Sequence, residues 1–271
     1  MDTTLTDQAF WKDYWDNRDV RVTVGPKYLF HKLFRHYCGS QPIRNSIEIG
    51  GFPGYFSVFL AKYCNVEPTL LDFYIDPDKV RQLCAANEVA FDRLEMIEHD
   101  FLSFQSDRKY DLVFSCGLIE HFQNYDELIA RHVDLLAPGG RLFIEIPNLR
   151  GLNGWVQRRW DPQNLAIHNL DCMDPSRLRD AVHRHRLDNV QVGYYGRYGS
   201  WLEQCDQKPW RVRATYRTIH YVCRKLTRLV PVETRLFSPY IVITGVNGVA
   251  GVSQSPVSQS PTKSMPPIRA A

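Results

Sequence analysis

The sequence has no apolar run long enough to cross a bilayer, since its β-type stretches around Asp111–Phe114 and Tyr240–Thr244 stop after a few residues. It has no C-x-x-C pair. Its seven cysteines, Cys38, Cys64, Cys84, Cys116, Cys172, Cys205 and Cys223, are odd in number and scattered. That spacing argues against a zinc ribbon or a disulfide framework and predicts reduced thiols and no metal site. It has no large excess of one charge: the formal net charge is +3, too small to point to nucleic acid. The opening residues, MDTTLTDQAFWKDYW, are acidic and polar and show no secretory signal pattern, so a cytoplasmic location is expected.

What is present is the composition of a soluble globular chain, with 44% apolar and 23% charged residues over a length of 271. That length accommodates one large α/β domain with appendages. Phe10, Trp11, Tyr14 and Trp15 recur at helical spacing within Leu5–Asn17, and Pro26–Cys38 reads as a second helix with proline in its first turn. Strand and helix patterns then alternate. Strands are expected at Asn45–Ile49, Pro68–Asp72, Leu94–Glu98, Tyr110–Ser115, Arg141–Ile146, Val190–Tyr195 and Tyr240–Thr244. Helices are expected at Gly54–Tyr63, Asp76–Ala86, Asp126–Leu136 and Pro175–Arg186. The alternation predicts a mostly parallel sheet with helices on both faces. The expected organisation is a helical cap over residues 1–40, a core domain over 41–247 with a helical insertion at about 200–235, and a disordered tail over 248–271, where SQSP occurs twice.

The segment Ser46–Ser57 runs from a strand through a glycine-bearing turn into a helix, the place where doubly wound sheets bind ligands. The dinucleotide fingerprint G-x-G-x-x-G fails here: with Gly50 as its first glycine, Phe52 and Tyr55 stand where the others belong. Glu48 would also repel a pyrophosphate and suits a ligand with a cationic amino group. Asp72, 22 residues after Gly50 at the end of the second strand, can accept hydrogen bonds from both ribose hydroxyls.

These residues resemble the class I S-adenosylmethionine (SAM)-dependent methyltransferases. Glu48-x-Gly50-x-Phe52-x-Gly54 is similar to their E/D-x-G-x-G-x-G turn, with Phe52 in place of the middle glycine. Asp72, His99-Asp100-Phe101, Tyr110–Ser115, Gly117–Phe122 (with its Glu120-His121) and Leu136–Leu142 (with its Pro138-Gly139-Gly140) match further motifs in order. The resemblance implies a Rossmann-like seven-stranded sheet with its last strand antiparallel, an N-terminal helical cap, and a helical insertion before the last strand. It implies SAM as cofactor, held by Glu48, Gly50, Gly51, Gly54, Asp72, Phe73, Asp100, Phe101, Ser115, Cys116 and Gly117. Phe52 must then turn its side chain away from the cofactor.

For the reaction, His121 and His168 are the candidate catalytic residues, while Glu145 and Asn148 at the end of the fifth strand are weaker candidates for substrate contact. The expected chemistry is O-methylation of a small molecule such as a glycan, a lipid-linked compound or a secondary metabolite. N-methylation and a catalytically silent binding protein on the same fold are the alternatives. Three aromatic-rich segments are candidates for the acceptor pocket: the N-terminal helix, residues 148–173 with Trp155 and Trp160, and the stretch from Tyr194 to Trp210. Residues 208–230 carry seven cations and no acid beside an apolar stripe. Such a helix can rest peripherally on an anionic membrane or present a solvated basic face. No nucleic-acid partner is expected, and the sequence leaves the oligomeric state open.

Overall fold

In a computed structural model, residues 4–229 and 232–248 are described. The sheet runs in the order β3-β2-β1-β4-β5-β7-β6. Its strands are β1 (Asn45–Ile49), β2 (Glu67–Asp72), β3 (Glu95–Glu98), β4 (Tyr110–Cys116), β5 (Leu136–Pro147), β6 (Leu187–Tyr195) and β7 (Tyr240–Asn247). The first five pair in parallel, and β7 lies antiparallel between β5 and β6. The order reverses between β1 and β4, which makes the carboxyl ends of those strands the switch point where a crevice opens.

The helices are α1 (Gln8–Asp16), α2 (His31–Ser40), α3 (Tyr55–Tyr63), α4 (Pro77–Ala86), α5 (Tyr125–Asp134), α6 (Leu152–Trp160), α7 (Pro162–Ala166), α8 (Pro175–His183) and α9 (Trp210–Leu229). Successive strand side chains point to opposite faces, and both faces are covered. Leu70, Leu112, Phe114, Phe143 and Val242 meet Phe34 of α2, Phe59 of α3 and Leu83 of α4 on one side. Ile47, Leu71, Val113, Leu142, Ile144 and Ile243 meet Leu128 of α5 and Leu178 of α8 on the other. The expected fold class is the observed one, including helices ahead of the sheet and a long helix before the last strand.

Three expectations are corrected. The second helix begins at His31 rather than Pro26, because Phe30 adopts a left-handed conformation with φ 59°. Its ring is buried among Phe56, Phe143, Tyr195 and Tyr240, so tertiary packing overrides the local helical pattern. The strand expected at Arg141 starts at Leu136. The Pro138-Gly139-Gly140 segment forms an irregularity inside the β4–β5 pairing rather than a turn before it. A Cβ on Gly140 would come 2.8 Å from the carbonyl oxygens of both Ala137 and Tyr110, so only glycine fits there. The connection at 148–173, read as a loop, contains α6 and α7. The tail expected from 248 falls outside the described residues beyond its first position.

Candidate active site

The carboxyl ends of β1, β2 and β4 open onto a cleft of about 460 Å³. The turn after β1 shapes its floor. Gly50 has φ 64°, its N–H donates to Leu71 O at 2.8 Å, and a Cβ there would come 2.5 Å from Leu118 Cδ1. Phe52 takes no left-handed angle. Its ring is buried against Trp15 and Tyr74, each 5.6 Å away, and its N–H donates to Asp72 Oδ2 at 2.9 Å. The aromatic residue thus fills a slot between α1 and the start of the crossover after β2, while its backbone still organises the loop.

Asp72 ends β2 facing the cleft. Burial raises its carboxyl to about 6, against the lowering effect of the Phe52 and Tyr74 amides that it accepts. Glu48 is almost fully buried, and its Oε2 accepts from both the N–H and the hydroxyl of Ser57, at 2.8 and 2.5 Å, in the first turn of α3. Burial raises it to about 8. A Cβ on Gly51 would run into the Glu48 side chain, so the glycine is the counterpart of the buried acid.

Nine of the eleven expected cofactor contacts line the cleft: Glu48, Gly50, Gly51, Asp72, Phe73, Asp100, Phe101, Cys116 and Gly117. Two do not. Gly54 takes φ 98° at the N-terminus of α3, under Leu70 and Leu94. Ser115 is buried, and its hydroxyl lies 2.9 Å from His132 Nε2. His132 Nδ1 faces the Leu128 carbonyl at 2.7 Å and must donate, so Nε2 accepts from the serine. Burial holds the thiol of Cys116 well above its ordinary range, with Glu145, Glu48 and Glu120 adding to the shift. That thiol is not a nucleophile at neutral pH.

The N-terminal aromatic residues lie over this cleft. Trp11, Tyr14 and Trp15 all line it. The segment is tied down by Leu5 N–H to His121 O at 2.8 Å and by Gln8 Nε2 donating to Phe73 O. Sequence periodicity identified α1 as a helix, but only the tertiary contacts show that it roofs the nucleotide-sized cleft.

His121 and His168 come together at its edge, with ring centroids 4.7 Å apart. His121 lines the cleft; His168 stands behind it. His121 Nδ1 lies 2.8 Å from Ile167 O and His168 Nδ1 lies 2.6 Å from Asn164 O. A carbonyl only accepts, so both Nδ1 atoms carry protons and both Nε2 atoms present lone pairs. Burial, then His168, pushes His121 down to about 3, and burial lowers His168 as well. Glu120, which sequence reasoning treated only as part of a motif, joins them. It is buried, its Oε2 has no hydrogen-bond partner, and its Oε1 lies 3.9 Å from His121 Nε2. Glu145 is buried, its carboxyl well above the ordinary range through burial and then Glu120. Asn148 is a structural residue, its amide donating to Arg235 O and Ser238 O at 2.8 Å each.

The electrostatics decide between ligand classes. Among the described residues that line the cleft there is no lysine or arginine, but there are four acids, Asp7, Glu48, Asp72 and Asp100. A pyrophosphate finds no counter-charge in such a cleft, whereas a ligand carrying a sulfonium and an ammonium group does. A family model described as a methyltransferase domain matches residues 26–192. The chain belongs to the class I SAM-dependent methyltransferases.

The fold agrees. The chain is similar in structure to a SAM-dependent methyltransferase from Archaeoglobus fulgidus, at 16% identity and TM-score 0.53, covering 89% of this chain and all of that one. It is similar to the plantazolicin methyltransferase BpumL in complex with S-adenosylhomocysteine, at 11% identity and TM-score 0.52, covering 90% and 91%. It is also similar to an O-methyltransferase family protein from Burkholderia thailandensis, at 14% identity and TM-score 0.51, covering 91% and 62%. Comparison with curated proteins gives no match. The cofactor of this methyltransferase is SAM, and the acidic, cation-free cleft fits it.

Proposed function

We propose that this methyltransferase carries out O-methylation of a small molecule of the glycan, lipid-linked or secondary-metabolite kind. The carrying observation is the cluster at the cleft edge, where the Nε2 atoms of His121 and His168 present lone pairs beside the buried carboxyl of Glu120. A hydroxyl is the donor that such a cluster orients, with its remaining oxygen lone pairs free to face the cofactor.

In this reading Asp72 accepts the ribose hydroxyls. Asp100 and Phe101 flank the adenine, and the backbone of Gly50, Gly51, Phe73, Cys116 and Gly117 walls the remainder. Bound SAM supplies a methyl group already activated by its sulfonium. The protein supplies alignment and exclusion of water, effects on the order of 7–11 kcal/mol in favourable model reactions. The roof of Trp11, Tyr14 and Trp15 suits that exclusion.

Calorimetric titration with SAM, S-adenosylhomocysteine and NAD tests the cofactor, with saturable binding of the first two and none of NAD expected. Radiolabelled SAM with extract fractions, followed by mass spectrometry of the labelled product, tests the acceptor; a methylated amine would replace the hydroxyl reading. His121→Ala is expected to lower turnover about a hundredfold, the lower end of general acid–base effects, with SAM affinity within about twofold of the parent. Unimpaired turnover would reduce His121 to a packing role.

We also propose that α9 rests on an anionic lipid surface. Among the described residues, no helix is long and apolar enough to cross a membrane. Val212, Tyr216, Ile219 and Cys223 turn toward the body of the protein, but Val222, Leu226 and Leu229 stand exposed, Leu229 at 79%. The same helix contributes Ile219 and Cys223 to an apolar groove completed by Leu152, Trp155 and Leu236 and flanked by Arg150 and Arg235. Arg211, Arg217, Arg224, Lys225 and Arg228 are exposed on the same helix. Apolar side chains ringed by cations match the interface of an anionic bilayer. Co-sedimentation with phosphatidylglycerol-containing vesicles is expected, along with weak binding to pure phosphatidylcholine. The pair Leu226→Asp and Leu229→Asp is expected to abolish it; equal recovery of parent and variant would overturn this contact.

A further inference from the structure

We propose that Glu120, His121 and His168 form a binding site for one divalent first-row cation at the edge of the cofactor cleft. A ligand atom from each of the three lies within 4.8 Å of the other two. Three features make this a built site rather than a chance cluster.

The first is tautomer control. Both Nδ1 atoms are committed to backbone carbonyls, Ile167 O for one ring and Asn164 O for the other. That leaves Nε2 as the coordinating atom on each, the same outer hydrogen bond that orients metal-bound histidines. The second is an unpartnered buried carboxyl oxygen. Glu120 is 1% exposed, yet its Oε2 has no partner, and a buried carboxylate oxygen without a donor calls for a cation or a proton. The third is rigidity. Asn169 N–H donates to Glu120 O at 2.6 Å, and its side-chain amide donates to Phe122 O at 2.9 Å. The segment carrying His168 is thereby laced to the one-turn helix Ile119–His121 that carries the other two ligands.

Two imidazole nitrogens and one carboxylate oxygen suit Mn²⁺, Fe²⁺, Co²⁺ or Zn²⁺ better than Mg²⁺ or Ca²⁺. Metal–ligand distances of about 2.0–2.2 Å put neighbouring ligand atoms roughly 3–3.5 Å apart, so side-chain rotations that close the widest separation, at most 4.8 Å, by about 1.3–1.8 Å complete the set. His121 lines the cleft, so an ion held by its Nε2 would stand at the cleft edge. This deepens the hydroxyl-acceptor reading, on which it rests for the substrate but not for the ion. The acceptor class becomes an alcohol with a second oxygen donor beside it, such as a vicinal diol or a hydroxy acid, bound through both oxygens. If bound, the ion would acidify the hydroxyl it holds: the proton would leave to water at the cleft edge with the O–H electron pair staying on oxygen, and that oxygen would take the methyl group as the S–CH₃ pair returns to sulfur, giving S-adenosylhomocysteine. The cysteine pattern gave no hint of this site, because its two histidines are distant in sequence and meet only through the connection between α7 and α8.

The test uses the full chain, stripped with EDTA, dialysed, and titrated calorimetrically with MnCl₂ and with ZnCl₂. One equivalent is expected to bind, with affinity reduced at least tenfold in Glu120→Gln and in His168→Asn. His168→Asn is expected to keep SAM affinity, because His168 does not line the cleft, and this separates a lost ion from a lost fold. Undiminished metal binding in both variants, or no binding to the parent, overturns the site. If the ion binds as expected but the methylated product is an amine, the hydroxyl reading fails and the cation site stands. If an alcohol is methylated at the full rate in EDTA, the cation site fails and the hydroxyl reading stands.

Discussion

Asp72→Ala is expected to weaken SAM binding about a hundredfold, measured by calorimetry against the unchanged parent. A hydrogen bond to a charged group contributes about 1.5–3 kcal/mol, and tenfold in affinity is about 1.4 kcal/mol. Loss of two ribose contacts reaches that size at the low end of the range. Asp72→Asn keeps the oxygen that accepts from Phe52 and loses the charge, so its loss is expected to be smaller. Affinity unchanged in both variants would remove Asp72 from the ribose site.

The same carboxylate gives the binding a pH dependence with a definite sign. Its value is raised by burial, with Glu98 adding to the shift, to about 6, so it is essentially ionised above pH 7 and protonated progressively below 6. The ribose hydroxyls donate to the ionised form. Affinity is therefore full above pH 7 and falls as pH drops through 6, by about tenfold at pH 5 if only the ionised form binds. Glu48, raised to about 8 and with Asp72 among its neighbours, spends one oxygen on Ser57. Measurement in Asp72→Asn isolates its contribution, since the fall near pH 6 should vanish there.

Phe34→Ala is expected to cost about 3–5 kcal/mol of folding stability, read from the denaturant midpoint at an unchanged slope. Phe34 is fully buried and its ring meets Phe56, Phe59, Phe114 and Phe143, with centroids from 5.0 to 6.3 Å. It joins α2 and α3 to the central strands β4 and β5, so truncation leaves a cavity walled by four rings from three elements and unable to collapse from one side. A loss below about 1 kcal/mol would mean that α2 docks on the sheet through other contacts.

These two sites differ in how far the sequence reveals them. Asp72 was legible because its function depends on one strand end and one turn, and both lie within a short stretch of chain. The order of β-type and helical segments determined the sheet, since the continuous burial of Leu112–Phe114 and Leu142–Ile144 requires cover on both faces. The failure of the dinucleotide fingerprint at Phe52 and Tyr55 already pointed away from a pyrophosphate.

Other features depended on contacts between distant segments. Phe30 interrupts a helical pattern because four rings from four later elements surround it, information that no local window contains. Ser115 sits in a cofactor-like position by sequence but turns to His132, since alternate residues of β4 face opposite sides of the sheet. The aromatic residues of α1 were candidates for an acceptor pocket, and only the tertiary contacts place them over the cleft. Glu120 and His121 were visible as neighbours and His168 as a candidate by itself, but their convergence was not. The sequence by itself determined the sheet, the turn and the acid that define a SAM fold, because these arise from local periodicity and adjacent residues. The tertiary structure alone decided the roof, the tautomers and the convergence of the two imidazoles, because each depends on backbone carbonyls and rings brought in from remote parts of the chain.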